Sequence, residues 1–575
     1  MITVRMLRRH LSLAAAVLLL GTSQAWASTA AGAGQTMQVT LRPGDVDVAR
    51  GLARMDVELR IPAMAADAGQ AVLTLPVVIA NTDTVAATLT DLVMTDAQGV
   101  VPLTARDDPV SLVYARHWIA GRAVSGDVTV RYRAPIDNTP PRRGSGPPYS
   151  LRTEGGGVSG VGNTFILLPE DERDYRIALR WDLKGLAAGA GATSSYGEGD
   201  VDLEPGRADR LSSTVFMAGP MEREPQPVSN AGFSAAWMGE PPFDARPLMV
   251  WTHQLHGWMS RFFAEPGEPP YRVFMRFNPI NAGGGVALTR SFLVTYGQAT
   301  DPADLKSTLS HEMIHTWTQW DGRGQWYGEG IAVRYQGLLP YRAGLITADD
   351  YLADINDTAR RYYSNLLNDT PDDQIAPRFW EDSRIRVLPY DRGALYFAVV
   401  DGKIRRASQG ARSLDDLILE MNRRRRAGET VDEAAWIALL TAELGDDGRA
   451  LHTAMKAGEL MVPESGDYGP CFTRYIGRAR RFDLGFDPKS LVGDVKTIRG
   501  LVPGSAAERA GIRDGDVVTY AVAMDGVQGD QEARLTLQVT RGEDRFPVTY
   551  LPRGEEVDVY QWRRAPDVDD AVCKS

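Results

Sequence analysis

The sequence predicts a multidomain α+β protein: a β-rich N-terminal domain, an α-rich middle domain and a small β-containing module at the C-terminus. Three observations predict it. At 575 residues the chain is too long for one compact core. Its apolar pattern changes from strand-like to helical near residue 220, and short strands with a different signature return from about residue 474. Hydrophobic and charged fractions of 43% and 24% are those of a folded globular chain rather than a disordered one. A net charge of −11 with no long basic tract argues against nucleic acid as a partner, because phosphate binding needs a clustered positive surface. Two cysteines exclude a disulfide scaffold and any Cys-based zinc or iron–sulfur framework.

Residues 1–27 read as a targeting segment. Arg5, Arg8 and Arg9 precede the short apolar run LSLAAAVLLLG, and Ala25-Trp26-Ala27 is an A-x-A cleavage site. No later run is long and apolar enough to suggest a membrane span, so an exported, periplasmic or secreted chain is expected. Cys471 and Cys573 would then sit in an oxidising space, where a pair and two free thiols are equal readings. Residues 28–220 carry short β-branched runs such as VDVELRI, AVLTLPVVIA and DVTVRYRA, separated by Gly, Pro, Asp and Asn. Residues 221–473 are mainly helical, with apolar spacing in PLMVWTHQLHGWMSRFF, PADLKSTLSHEMIHTWTQW and SLDDLILEMNRRRR. A strand pair, YRVFMRF and VALTRSFLVTY, is embedded there, separated by NPINAGGG. The run Arg423 to Arg426 closes a helix as a solvated face favoured by the C-terminal dipole. Residues 474–564 form the third domain, and 565–575 an acidic tail.

The chemistry concentrates at His311-Glu312-Met313-Ile314-His315. On a helix, positions i and i+4 share a face, so both imidazoles can reach one metal ion while Glu312 holds a water beside it. Asp301 can cap that helix and Pro302 suits its first position. Leu305, Leu309 and Met313 make an apolar stripe on another face, so the histidines need not be core residues. A catalytic zinc site wants a third protein ligand and one open position. Glu329 lies fourteen residues after His315, and three glycines in the intervening TWTQWDGRGQWYG can turn the chain back. IAVRYQGLL would be the second helix, and the ligand set for one Zn2+ would be His311, His315 and Glu329.

HEMIHTW followed by Trp326-Tyr327-Gly328-Glu329-Gly330 resembles the glycyl aminopeptidase-like zinc metallopeptidases, relatives of aminopeptidase N in the glutamate-zincin group. Tyr390-Asp391-Arg392-Gly393-Ala394-Leu395 is similar to that family's Tyr-x-Lys-Gly-Ala-Leu segment, with Arg392 for Lys. The resemblance implies a β-rich domain, a thermolysin-like catalytic domain and a C-terminal PDZ domain. It also implies peptide substrates, Glu312 as general base and Tyr390 as donor to the oxyanion. Gly283-Gly284-Gly285-Val286-Ala287-Leu288 aligns with the family's Gly-Gly-Leu-Glu-His segment, which makes Gly284, Gly285, Val286 and Ala287 candidate substrate-binding residues. Ala287 stands where the family has the glutamate that grips a free α-amine, which leaves exo- and endopeptidase action both open, and VALTRSFLVTY is expected to serve as an edge strand beside the peptide. Leu484-Gly485-Phe486 resembles the carboxylate-binding loop of PDZ domains, with a C-terminal peptide as its candidate ligand. A non-catalytic peptide-binding protein and a zinc hydrolase acting on a non-peptide bond are the alternative readings.

Overall fold

The computed structural model describes residues 35–47, 51–79, 82–111, 113–139, 149–280, 282–566, 568 and 573. The expected targeting segment, 1–27, and most of the acidic tail lie outside the described residues. The described chain falls into two compact units. One takes the residues up to Met249 together with Pro269–Thr300; the other takes Val250–Glu268 and everything from Asp301 on. The first unit therefore includes the strand pair that the sequence pattern groups with the helical region.

The first unit is built of sheets, as its period-2 patterning requires. Its largest sheet has seven strands, with Thr36–Asp47 and Gly51–Ala66 antiparallel at the centre. Met55, Val57, Leu59 and Ile61 alternate inward along the second of these and meet Val39, Val130 and Ile177 in one core. A further five-stranded sheet contains Phe233–Trp237, Tyr271–Phe277 and Ser291–Tyr296 in parallel. VALTRSFLVTY is not one strand. It is a hairpin in which Gly285–Leu288 turns at Thr289 and Arg290, whose φ is +47°, into Ser291–Tyr296. The sheet edge belongs to Gly285–Leu288, while Ser291–Tyr296 is interior. The glycines continue the pairing rather than make the turn: Gly283 N–H donates to Thr295 O and Thr295 N–H to Gly284 O. A Cβ on Gly285 would sit 2.1 Å from Leu293 O, so no larger residue fits there.

The second unit holds helices α1 (Ala245–Phe262, from Val250), α2 (Pro302–Ile314), α3 (Trp326–Arg342), α4 (Ala348–Tyr363), α5 (Ile375–Arg378) and α6 (Ser383–Arg386). It continues with α7 (Leu388–Ala407), α8 (Leu414–Arg426), α9 (Glu433–Leu444) and α10 (Asp446–Lys456). Local signals set their starts. Asp301 accepts from Ala303 N–H at 2.9 Å with Pro302 in the first turn of α2, and Thr347 with Asp350 forms a capping box on α4. The arginine run at the end of α8 is more than a solvated face. Arg423 and Arg424 bind Glu420, but Arg425 donates to Thr316 O and Arg426 to Ala264 O.

The C-terminal module carries a long ribbon, Phe472–Phe482 against Arg553–Arg564, and a four-stranded sheet. It also has two short helices, α11 (Ala506–Arg509) and α12 (Met524–Gly529). Leu484, Phe486, Ile498, Val518 and Leu537 fill its core. Cys471 and Cys573 form a disulfide that closes a span of 102 residues around this module. Cys471→Ser is expected to lower unfolding stability by about 2–4 kcal/mol, read from urea titrations under non-reducing conditions.

Candidate metal centre and active site

Two imidazoles and one carboxylate converge in the second unit. His311 Nε2 lies 3.2 Å from Glu329 Oε2, His315 Nε2 lies 3.4 Å from the same oxygen, and the two Nε2 atoms are 3.3 Å apart. Nitrogen and oxygen ligands held tetrahedrally at about 2.0–2.2 Å from zinc stand about 3.3–3.6 Å from one another. The observed triangle has that size, and these three residues are the group among the described residues able to share an ion.

The hydrogen bonds around His311 fit the same reading. His311 Nδ1 is 3.0 Å from Gln336 Oε1, and Gln336 Nε2 donates to Asp354 Oδ1 at 2.8 Å. With its amide nitrogen on Asp354, Gln336 offers a carbonyl oxygen to His311, so Nδ1 carries the proton. Nε2 then faces the Glu329 carboxylate oxygen at 3.2 Å, an approach that either a bound cation or a proton on Nε2 would bridge. The Gln336–Asp354 chain is the kind of support that orients a metal-binding histidine.

The turn-back that brings Glu329 to His311 and His315 has identifiable causes. Only Gly322 and Gly324 lie in the connecting loop, with Gly324 at φ +85°; Gly328 is already inside α3. The loop is anchored by Val431 N–H donating to Asp321 Oδ2 at 2.9 Å and by Trp320, stacked on Tyr327 with centroids 4.9 Å apart. Glu329 thus sits in the first turn of α3. His311 is buried, with 4% of its side chain exposed, as is the stripe of Leu305, Leu309 and Met313, so α2 is covered on both faces. His315, 19% exposed, is where the triad reaches solvent.

Glu312 is buried, and neither of its carboxylate oxygens has a protein hydrogen-bond partner among the described residues. Burial pushes its pKa up, the two imidazoles pull it down and Glu329 adds to the rise; the net shift is upward. A buried carboxylate with no protein hydrogen-bond partner is costly in a fold and suits a proton acceptor. Burial would also raise Glu329, but His315 and His311 outweigh it and bring its pKa to about 2, so it is ionised.

Tyr390 enters from the start of α7, its ring stacked on His311 with centroids 5.9 Å apart and planes at 18°. Burial, then Glu329 and Glu312, push its pKa well above the phenol range, so it keeps its proton. α3 and α7 cross at Gly330 and Gly393. A Cβ on Gly393 would meet Trp326 O at 2.6 Å and Gly330 Cα at 2.7 Å. These are the glycines that follow Glu329 and Tyr390 in the two sequence motifs, and their contact sets the two residues in relation to each other. Gly393→Ala is expected to cost about 1–3 kcal/mol in thermal or urea unfolding and to lower activity about 100-fold by displacing both side chains. Arg392, the departure from Lys, is buried and donates to Asn368 O and Thr370 O.

The remaining sequence candidates belong to other elements. Gly284 through Ala287 belong to the first unit, with Ala287 opposite Phe292 on the outermost strand. In the C-terminal module, Leu484 and Phe486 are core residues. Gly485, at φ +77°, donates its N–H to Asp483 Oδ1 at 2.8 Å and accepts from Val502 N–H. Sequence reasoning missed Gln336, seven residues after Glu329 and so on the same face of α3. It also missed two buried ion pairs flanking Tyr390, Arg361–Asp391 and Arg386–Asp525.

No protein-family model matches the chain, and no curated protein matches it. Among solved structures, an M1 zinc metallopeptidase of Deinococcus radiodurans (15% identity, 75% of this chain and 95% of that one, TM-score 0.43) and yeast LTA4 hydrolase (11%, 75% and 69%, TM-score 0.41) are distant likenesses. An aminopeptidase N family protein of Idiomarina loihiensis aligns over 92% of this chain and 98% of its own at 14% identity, with a TM-score of 0.65. Over the aligned part, the chain shares the fold of that aminopeptidase N family protein.

Proposed function

We propose that this chain is an exported zinc-dependent metallopeptidase. The observation that carries the reading is the triangle of His311, His315 and Glu329 ligand atoms at 3.2, 3.3 and 3.4 Å, with the unpartnered Glu312 carboxylate next in sequence. When bound there, zinc would supply Lewis-acid polarisation of a carbonyl and acidify water. Glu312 takes a proton from the attacking water and delivers it to the departing amine. Tyr390, still protonated, donates to the carbonyl oxygen as negative charge develops on it. Gln336 and Asp354 hold His311 in the tautomer that leaves Nε2 free to bind.

Export is supported by the A-x-A segment and by the Cys471–Cys573 disulfide, a bond that persists in oxidising compartments. The C-terminal module is read as PDZ-like from its sequence. Because Gly485 spends its amide on Asp483, a structural role suits that loop better than capture of a peptide carboxylate. With Ala287 in place of the amine-gripping glutamate, action on internal bonds or on blocked peptides is the favoured reading. Paired assays on free and N-blocked peptides test it: faster cleavage of the blocked series supports it, and strict dependence on a free amine overturns it. Tyr390→Phe is expected to lower kcat about 100-fold with little change in KM, measured on the same peptides.

A further inference from the structure

Tyr390 stands between two buried ion pairs. One residue after it, Asp391 accepts from Arg361 of α4, Nε to Oδ2 at 2.8 Å. Four residues before it, Arg386 at the end of α6 donates from Nε and Nη2 to Asp525 at 3.0 and 2.7 Å. Asp525 belongs to α12 of the C-terminal module, 139 residues further along the chain. Arg361, Asp391, Arg386 and Asp525 are all buried, at 9% side-chain exposure or less. Only Val387 separates α6 from α7, so what holds Arg386 also holds the first turn of α7, where Tyr390 sits. Asp525 and Arg386 both act electrostatically on Tyr390, and Asp525 acts on Arg361 and Asp391. A buried bidentate Arg–carboxylate pair is directional as well as costly to break. Stability alone does not call for such a pair, since an apolar contact serves equally well.

We propose that Asp525 is a positioning residue: by holding Arg386 it fixes the first turn of α7 and Tyr390, so that the C-terminal module completes the active site. This rests on the reading of Tyr390 as the oxyanion donor. Asp525 touches no substrate; it acts through Arg386, and it makes the small module part of the catalytic unit rather than an appended binding domain.

The test is a double-mutant cycle in the full-length, zinc-loaded protein, with kcat and KM on one peptide and hydrogen exchange at the amides of residues 387–391. Asp525→Asn is expected to lower kcat about tenfold with KM within about twofold and to speed exchange in that segment. In a Tyr390→Phe background the same change is expected to cost less than about twofold, because the group being positioned is gone. Equal losses in both backgrounds, or an unchanged kcat and unchanged exchange in Asp525→Asn, overturn the proposal. If Tyr390→Phe alone leaves kcat unchanged, the catalytic reading falls and this proposal with it. If Tyr390→Phe lowers kcat and Asp525→Asn adds in full, only this proposal falls. Should Asp525→Asn fail to fold, Asp525→Glu keeps the charge and shifts the carboxylate by one methylene. It must show the same kcat loss and the same non-additivity, or the proposal is wrong.

Discussion

Glu312→Gln is expected to lower kcat by about 100-fold to 10,000-fold while zinc content stays at the wild-type level. Glutamine keeps the shape of the side chain and removes the proton acceptor. Glu312 belongs to none of the ligand contacts, so metal and fold are both retained. Its carboxylate is buried with no protein hydrogen-bond partner among the described residues, and glutamine removes the cost of burying a charge there. The variant is therefore expected to unfold at the same or a slightly higher temperature than wild type, the signature of a group kept for chemistry. Elemental analysis, steady-state kinetics and calorimetry on one preparation check all three statements. Unchanged turnover would reject the general-base assignment.

Glu329→Ala removes one of the three proposed ligands and is expected to abolish both activity and stoichiometric zinc. The remaining imidazoles, 3.3 Å apart at Nε2, would share an ion without the anionic oxygen that balances its charge. The same substitution removes the buried carboxylate whose pKa the two histidines hold at about 2. Zinc titration followed by competition with a chelator measures the loss. Wild-type zinc content in Glu329→Ala would remove Glu329 from the ligand set.

The parts of the site that were legible in the sequence are those written in short spacings. The i, i+4 histidines, the Asp301 cap with Pro302 and the glycines beside Glu329 and Tyr390 are local signals, and each has a local structural consequence. Glu329 could be placed because a short loop with glycines leaves little choice of direction. The burial of His311 could not be read, because it depends on what covers α2 from outside. The hairpin within VALTRSFLVTY was hidden by continuous apolar patterning, with Thr289 and Arg290 making a turn that no Gly or Pro announces. The Arg386–Asp525 pair joins residues from distant segments that no spacing rule connects. The β-rich unit was legible as a class from its alternation, but its strand order, with Thr36–Asp47 parallel to Asp174–Trp181, was not.

X-ray diffraction at the zinc absorption edge from crystals of the full-length protein shows whether an ion sits among the three side chains. One anomalous peak is expected, about 2.0–2.2 Å from His311 Nε2, His315 Nε2 and Glu329 Oε2. A zinc-replete crystal with no peak among those three atoms, or with their side chains turned apart, would contradict that expectation.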